Sequence, residues 1–200
     1  MRSRLAFVVF FALLSAGVLK AAVTNELRHE DLSLKGFITI YHQHHDFFGK
    51  AFSFQGIEGG GLVNQRFCLG AYTSFFASNL KAEINGFPRY VRIGQAGVLS
   101  GYLLKGERRI NPGFQINAGY FSIRLDEERF GLFKLYRADE SEDGLVVAPQ
   151  LFGELGLKTW LKVRAGLSYN FYFPENKSVF NRADLNGLSF TFGIVFIPSR

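Results

Sequence analysis

The C-terminal third of the chain alternates between apolar and polar or small residues over long stretches. Every second residue is apolar from Leu161 to Phe173, and the pattern returns from Leu188 to Phe196. Side chains alternate across a β-strand, so each stretch predicts a strand with one continuous apolar face. Strands of soluble proteins usually last about five or six residues, whereas these runs last about nine to thirteen, the length that a tilted strand needs to cross a bilayer. The two stretches predict the last hairpin of a transmembrane β-barrel.

The composition also favours strands over helices. Phe is 23 of the 200 residues and Gly is 22, while Met and Trp occur once each. Aromatic residues favour strands, and in membrane barrels they form girdles at the two interfaces. Past residue 22 no apolar run approaches the length of a membrane-spanning helix, so insertion into a bilayer would need strands closed into a barrel.

The first 22 residues are typical of a secretory signal peptide. Arg2 and Arg4 precede a short apolar core, and Ala22 ends a small-residue exit. The core is shorter than the roughly twenty residues that a membrane-spanning helix needs. We expect export of the chain, a polar periplasmic tail over residues 23–31 and a barrel over residues 32–197.

Charge and cysteine content argue against two classes of protein. The formal net charge is +6, from 23 basic and 17 acidic residues, but three of the basic residues lie in the leader. The mature charge is therefore about +3, which is too small and too dispersed to predict a nucleic-acid partner. Cys68 is the one cysteine, so the chain is not a disulfide scaffold, and its alternating run predicts that it is a small inward-facing residue.

Eight strands complete the predicted fold, an all-β antiparallel up-and-down transmembrane barrel. The breaks between them alternate between short and long, as in bacterial barrels with short periplasmic turns and longer outer loops. Within the fourth strand the apolar phase changes near Gln95, which predicts a β-bulge, and Pro149 removes a ladder donor from the sixth strand. The predicted strands cover residues 32–43, 51–62, 66–77, 89–104, 113–123, 144–154, 160–173 and 188–196.

The polar phase of the later strands predicts the barrel interior. An eight-stranded barrel is wide enough only for its own side chains, which argues against an open pore. Because an unpaired buried charge is costly, Glu154 is expected to pair with Arg164 or Lys162 on the next strand. The residues predicted to face inward are Gln115, Asn117, Gln150, Glu154, Lys162, Arg164 and Asn170.

Several short motifs stand in order along the chain, and together they resemble the small outer-membrane barrels common in Bacteroidota. The similarity extends from about Gly36 to Phe196 and implies an outer-membrane location and eight strands. The function of that family is largely unassigned, so the resemblance implies no active site. The motifs are Gly59-Gly60-Gly61 with Asn64, Phe67-Cys68-Leu69-Gly70, Gly97-Val98-Leu99-Ser100-Gly101-Tyr102, Val147-Ala148-Pro149, the run from Lys158 to Tyr169, and Asp184-Leu185-Asn186-Gly187.

The chain end bears on insertion. Many such barrels end on an aromatic residue, which resembles a signal read by the barrel assembly machinery. Here the last aromatic residue is Phe196, four residues before the end of the sequence. Gly187 followed by Phe190 and Phe192 partly fits an internal version of the signal, so insertion by that machinery is expected.

Two groups of residues raise the question of chemistry. His42, His44, His45 and Asp46 contain metal-ligand residue types, but no second Cys/His group lies at a recognised spacing. A solvated loop over residues 42–50 is therefore predicted, with no metal or cofactor site. Some small outer-membrane barrels are lipid A deacylases or acyltransferases that use Ser and His with a carboxylate. His44, Ser53 and Asp46 supply those types, but the sequence does not select them, and no catalytic residue is predicted.

Two charged segments remain. Residues 125–143 are dense in charge and are predicted to form a solvated loop; the alternative is a surface for a partner, or for divalent cations that bridge lipopolysaccharide. Lys105, Arg108 and Arg109 form a predicted periplasmic turn that could meet anionic headgroups.

The sequence thus predicts a monomeric outer-membrane barrel in contact with membrane lipids and lipopolysaccharide. Its expected role is structural, adhesive or in surface interaction. The alternatives are a soluble exported lipocalin-like barrel that binds a small apolar ligand, and an outer-membrane enzyme that modifies lipid A. A lipocalin would differ in having a polar outer face.

Overall fold

The computed structural model describes residues 33–47, 50–76, 80–84, 87–104, 109–126, 140–175 and 185–198. The predicted signal peptide and periplasmic tail lie outside these residues. Within the described part of the chain no helix is long and apolar enough to span a membrane. The strands are β1 (Leu34–Phe47), β2 (Lys50–Val63), β3 (Phe67–Phe76), β4 (Leu80–Ile84), β5 (Phe87–Leu103), β6 (Ile110–Asp126), β7 (Glu140–Lys158), β8 (Leu161–Pro174) and β9 (Gly187–Phe196).

The strands close into a barrel of antiparallel neighbours. β1 pairs with β9, and β3 pairs with β5, so the sheet has no free edge between its first and last strands. β3 pairs along Gly94–Tyr102 of β5, and β4 pairs along Phe87–Val91 of the same strand. The two short strands therefore share one position in the wall, and the predicted eight-stranded antiparallel barrel is confirmed.

The two ends of the barrel differ. At the turn end, where β1 begins and β9 ends, residues 64–66, 104–109 and 159–160 connect the strands. At the opposite loop end, the connections include residues 127–139 and 175–186. The two longest connections lie at the loop end, as predicted. The first two predicted loops at this end are wrong; in the second, over residues 78–88, the structure has β4 and the start of β5.

The predicted loop over residues 42–50 is wrong. Residues 42–47 continue β1, and only residues 48–49 separate it from β2. His42 and His44 face outward, while Gln43 and His45 are buried inside the barrel. The run satisfies the alternation of a strand, but its outward residues are polar, so it lacks the apolar phase that identified the other strands. The charged segment is also shorter than predicted, because β6 and β7 extend into it; residues 127–139 lie outside the described residues.

The outer surface of the barrel carries exposed apolar side chains. Along β9 the even-numbered residues from Leu188 to Ile194 are 42–58% exposed, while their odd-numbered neighbours are buried. At the turn end the Trp160 ring stacks on Phe196 with 6.4 Å between centroids, in the manner of an interfacial aromatic girdle. An apolar outer face on a closed barrel suits lipid rather than water, so the apolar side chains face the opposite way from those of a lipocalin.

The barrel interior is layered along its axis. A loop-side apolar cluster and a turn-side apolar cluster enclose a polar middle layer. The turn-side cluster is made of Phe37, Leu62, Cys68, Tyr72, Leu99, Leu103, Phe152, Val195 and Ile197. The loop-side cluster is made of Phe52, Phe54, Val91, Ile93, Phe121, Ile123, Leu125, Val146, Tyr172 and Leu185.

This layering explains the phase change in β5. Val91, Ile93, Gln95, Leu99 and Leu103 all face inward, and the pairing of β5 with β3 and β6 continues without a shift. The predicted bulge near Gln95 is therefore wrong. The inward residues themselves change from apolar to polar and back, which imitates a change of phase. Pro149 behaves as predicted: it faces outward, and the pairing of β7 with β8 is interrupted between Val147 and Gln150.

Candidate functional site

The polar middle layer is organised around Arg164 on β8. Its Nη2 lies 2.6 Å from Oε1 of Glu154, its registered partner on β7, and its Nε lies 3.1 Å from the same oxygen. Its Nη1 donates to Oε1 of Glu58, which projects from β2 on another part of the wall. Lys162 Nζ lies 3.0 Å from Oε2 of Glu154. The predicted pairing of Glu154 is confirmed with both of its candidate partners.

A glutamine completes this central charged cluster, which consists of Glu58, Gln115, Glu154, Lys162 and Arg164. Gln115 Nε2 donates to Oε2 of Glu58 at 3.2 Å, and its Oε1 accepts from Arg164 at 3.3 Å. All but Lys162 are at least 95% buried, and the two carboxylates balance the two cations. The cluster ties β2, β6, β7 and β8 together across the lumen. Sequence reasoning missed Glu58, because the alternation of β2 is blurred and no inward face was predicted for this strand.

The barrel encloses little free volume at this level. The cavity beside Arg164 and Gln150 measures about 20 Å³, which is room for about one water molecule. The two apolar clusters close it off along the axis. At this level the described residues therefore leave neither an aqueous channel nor room for a lipocalin-type ligand, in agreement with the predicted plugged interior.

His45 belongs to a buried network near the loop end rather than to a solvated loop. Its Nε2 donates to the carbonyl of Leu185 at 3.1 Å, since a carbonyl oxygen only accepts. Its Nδ1 then accepts from Ser189 Oγ at 2.6 Å, and Asn170 Nδ2 lies 3.0 Å from the same nitrogen. These contacts join β1, β8 and β9, so the His45 side chain helps to hold these three strands together.

His42 and His44 lie on the outer face. Their rings meet edge to face with 4.6 Å between centroids, and His44 Nδ1 lies 3.0 Å from Ser53 Oγ on the neighbouring strand. No group of three or more His, Cys, Asp or Glu in the described part of the chain is placed to hold a metal ion.

The turn end opens into a mouth of about 420 Å³, here called the turn-end mouth. Its floor is apolar, from Leu62 and Ile197, and the hairpin turn at its rim holds Asn64 and Gln65 at positive φ, as a tight β-hairpin turn requires. Of the basic turn singled out in the sequence, Arg109 lines the mouth, while residues 105–108 lie outside the described residues. The polar and charged lining residues are Lys35, Gln65, Arg109, Asn111, Lys158, Thr159 and Lys162.

Comparison with known proteins was informative through structure alone. No protein-family model matches the chain, and no curated protein matches its sequence. Neisserial surface protein A superposes with a TM-score of 0.60 at 11% identity, covering 84% of this chain and 99% of that one. The N-terminal β-barrel domain of Pseudomonas aeruginosa OprF gives 0.56 at 8% identity, covering 84% and 100%.

A third similar structure is Ail, the attachment invasion locus protein of Yersinia pestis, in complex with the heparin analogue sucrose octasulfate. It gives a TM-score of 0.50 at 7% identity and covers 84% of this chain and 100% of that one. Identities this low establish shared architecture only. The architecture is that of a small outer-membrane β-barrel.

Proposed function

We propose that the protein is an integral outer-membrane barrel without an open pore, which acts structurally or in adhesion or surface interaction at the cell surface. The observation that carries the proposal is a closed barrel with an apolar exterior and a plugged interior. Such a barrel satisfies its backbone hydrogen bonds within lipid, and a lumen filled by its own side chains conducts no solute. At the cell surface, the part of the barrel that a partner can reach is its loop end.

The similarity to a surface protein and an attachment protein supports a role at the surface. With the turn end in the periplasm, the longer connections, including residues 127–139, face the exterior. Outer-membrane lipids and lipopolysaccharide surround the wall, and the barrel assembly machinery inserts the chain, which acts as a monomer. We also propose that residues 1–22 are a signal peptide and that the chain is related to the small barrels of Bacteroidota.

Fractionation combined with gel mobility tests the location and the closed barrel. The protein is expected in the outer membrane, with boiled and unboiled samples migrating differently, because a closed barrel resists detergent. In planar bilayers the purified protein is expected to give no stable conductance. Recovery in the soluble periplasm without a heat shift would contradict the proposal, and a steady ohmic channel would contradict the plugged lumen.

Loop exchange tests the surface role. Replacement of residues 127–139 by a short Gly/Ser connector should leave the heat-dependent mobility unchanged and reduce attachment of expressing cells to host-cell or matrix surfaces. Replacement of residues 48–49 by the same kind of Gly/Ser connector serves as a control at the same end of the barrel. Unchanged attachment in both variants would favour a purely structural role.

One observation favours acyl transfer as a second candidate function. The Ser53 hydroxyl lies within hydrogen-bond distance of the His44 ring on the outer face of β1 and β2, which is the contact that activates a serine nucleophile. In that reaction Ser53 Oγ attacks the carbonyl carbon of a lipid acyl ester and its proton passes to His44. The alcohol leaves with that proton as the ester C–O bond breaks, and water hydrolyses the acyl-serine.

Mass spectrometry of lipid A tests this candidate. Cells with the wild-type gene should contain a deacylated species that Ser53→Ala removes and Gln55→Ala, the next outward-facing position of β2, does not. Identical lipid A with and without the gene would exclude acyl transfer.

A further inference from the structure

Among the described residues, the lining of the turn-end mouth carries an excess of positive charge. Four of its lining residues are cations, and its described lining residues include no carboxylate. Lys162 is engaged by Glu154 at 3.0 Å, and the central charged cluster is balanced within itself. Lys35, Arg109 and Lys158 have no carboxylate partner among the described residues. Like charges that share a mouth of this size repel one another, and a bound anion would relieve that repulsion.

The distribution of acidic residues along the barrel strengthens this asymmetry. Glu58 and Glu154 lie in the central cluster, and the other acidic residues of the described chain lie in the loop half. Basic residues occur at both ends. The acidic residues of the loop half are Asp46, Glu83, Asp126, Glu140, Glu142, Asp143 and Glu175.

Asn111 provides an independent sign of a ligand. It lines the mouth, is 1% exposed, and its Oδ1 has no hydrogen-bond partner among the described residues. A buried amide atom without a partner costs free energy, so such atoms in folded proteins usually meet a ligand or water. The two ends of an amide are interchangeable by a flip, and the flipped amide would donate its N–H groups into the mouth.

We propose that the turn-end mouth binds a phosphate group. Arg109 and Lys158 supply the charge, Asn111 and the Thr159 hydroxyl supply neutral hydrogen bonds, and the apolar floor limits competition from water. A tetrahedral oxyanion matches donors that converge from several directions, and guanidinium groups bind phosphate oxygens in pairs. The phosphate belongs either to a free phosphomonoester or to a phospholipid headgroup. Its periplasmic placement rests on the proposed function; the binding site does not.

NMR of the purified protein in zwitterionic detergent measures binding at the site directly. The signals to follow are the amide resonances of Gly156 and Thr159. The first titration uses inorganic phosphate against chloride at constant ionic strength. The second adds phosphatidylglycerol to the protein in the same detergent, which is chosen to carry no phosphate group. Arg109→Gln removes a lining cation, and Arg66→Gln is the matched control, because Arg66 is exposed at the same end but does not line the mouth. Asn111→Ala tests the amide at constant charge.

Saturable shifts with inorganic phosphate support a site for free phosphate. Shifts that only phosphatidylglycerol produces support a headgroup site. In either case Arg109→Gln should weaken binding at least about tenfold, as expected for a lost charge-assisted hydrogen bond, while Arg66→Gln should not. No response to either probe, or equal weakening by Arg66→Gln, would overturn the proposal. Heat-dependent mobility confirms that each variant is folded, and because the titration is done in detergent its failure is separable from a wrong cellular location.

Discussion

The central charged cluster and the loop-side apolar cluster fill neighbouring layers of one lumen by opposite means. The loop-side cluster contains side chains such as Phe121 and Ile123 that are fully buried and need no particular partner. The central cluster is almost as deeply buried, but each charge in it depends on named atoms of another strand. Burial of apolar groups is favourable group by group, whereas a buried charge is tolerated only while its partner remains.

This difference shows how a narrow barrel divides two tasks. The apolar layers provide stability that tolerates small changes of shape. The charged layer contributes little net stability relative to an apolar filling, because desolvation offsets the attraction. It does select which strands meet: Arg164 finds its partners only when β2, β6, β7 and β8 have their observed positions.

Removal of Arg164 should produce the largest effect. Arg164→Met roughly keeps the side-chain volume but leaves Glu58 buried without its cation and Glu154 with Lys162 alone, which costs about 3–5 kcal/mol. Urea unfolding of the refolded protein in lipid vesicles measures the loss. Arg66→Met, at an exposed turn residue, should change the unfolding free energy little. Equal effects of the two variants would mean that the cluster is not formed.

A conservative truncation in the loop-side apolar cluster should cost less. Ile123→Val removes one methylene from a fully buried site, with an expected loss of about 0.5–1.5 kcal/mol. Ile116 is the matched control, since it lies on the same strand but faces outward and is 37% exposed. Ile116→Val should be close to neutral when lipid fills the space. A larger loss for Ile116→Val than for Ile123→Val would mean that Ile116, rather than Ile123, faces the barrel interior.

The smallest net effect is expected when the charged layer is replaced as a unit. The triple variant Glu58→Gln, Glu154→Gln, Arg164→Met leaves no unpaired charge at full burial, so it should lie within about 1 kcal/mol of wild type. Lys162, which is partly exposed, retains access to water. A triple variant as unstable as Arg164→Met alone would contradict the view that orphaned charge, rather than lost attraction, causes the damage.

The sequence predicted the strands best where one face is apolar and the other is polar or small along the whole strand. β8 and β9 alternate without interruption, and their predicted limits are within one or two residues of those observed. The pairing of Glu154 with Arg164 followed from the same alternation, because the two residues face each other on neighbouring strands.

Prediction failed where the interior itself is apolar. Phe52 and Phe54 point inward on β2 together with the charged Glu58. The local alternation therefore assigned no inner face to this strand, and Glu58 was not recognised. Its contact with Arg164 joins residues 106 apart in the chain, which no local periodicity can reveal. The strand character of His42–Asp46 was missed for a related reason: outward residues near the loop end are polar and resemble a loop.

The orientation of β9 in lipid is the most direct test of the account. A nitroxide scan of residues 187–196 in a Cys68→Ala background, with the protein in phospholipid vesicles, reports contact with lipid and with water at each position. Oxygen, which concentrates in lipid, should relax labels at Leu188, Phe190, Phe192 and Ile194, while labels at Ser189, Thr191 and Val195 should be shielded from oxygen and from a water-soluble relaxant. Access of the water-soluble relaxant at the four even-numbered positions, or the opposite phase, would contradict a membrane-spanning barrel with a plugged lumen.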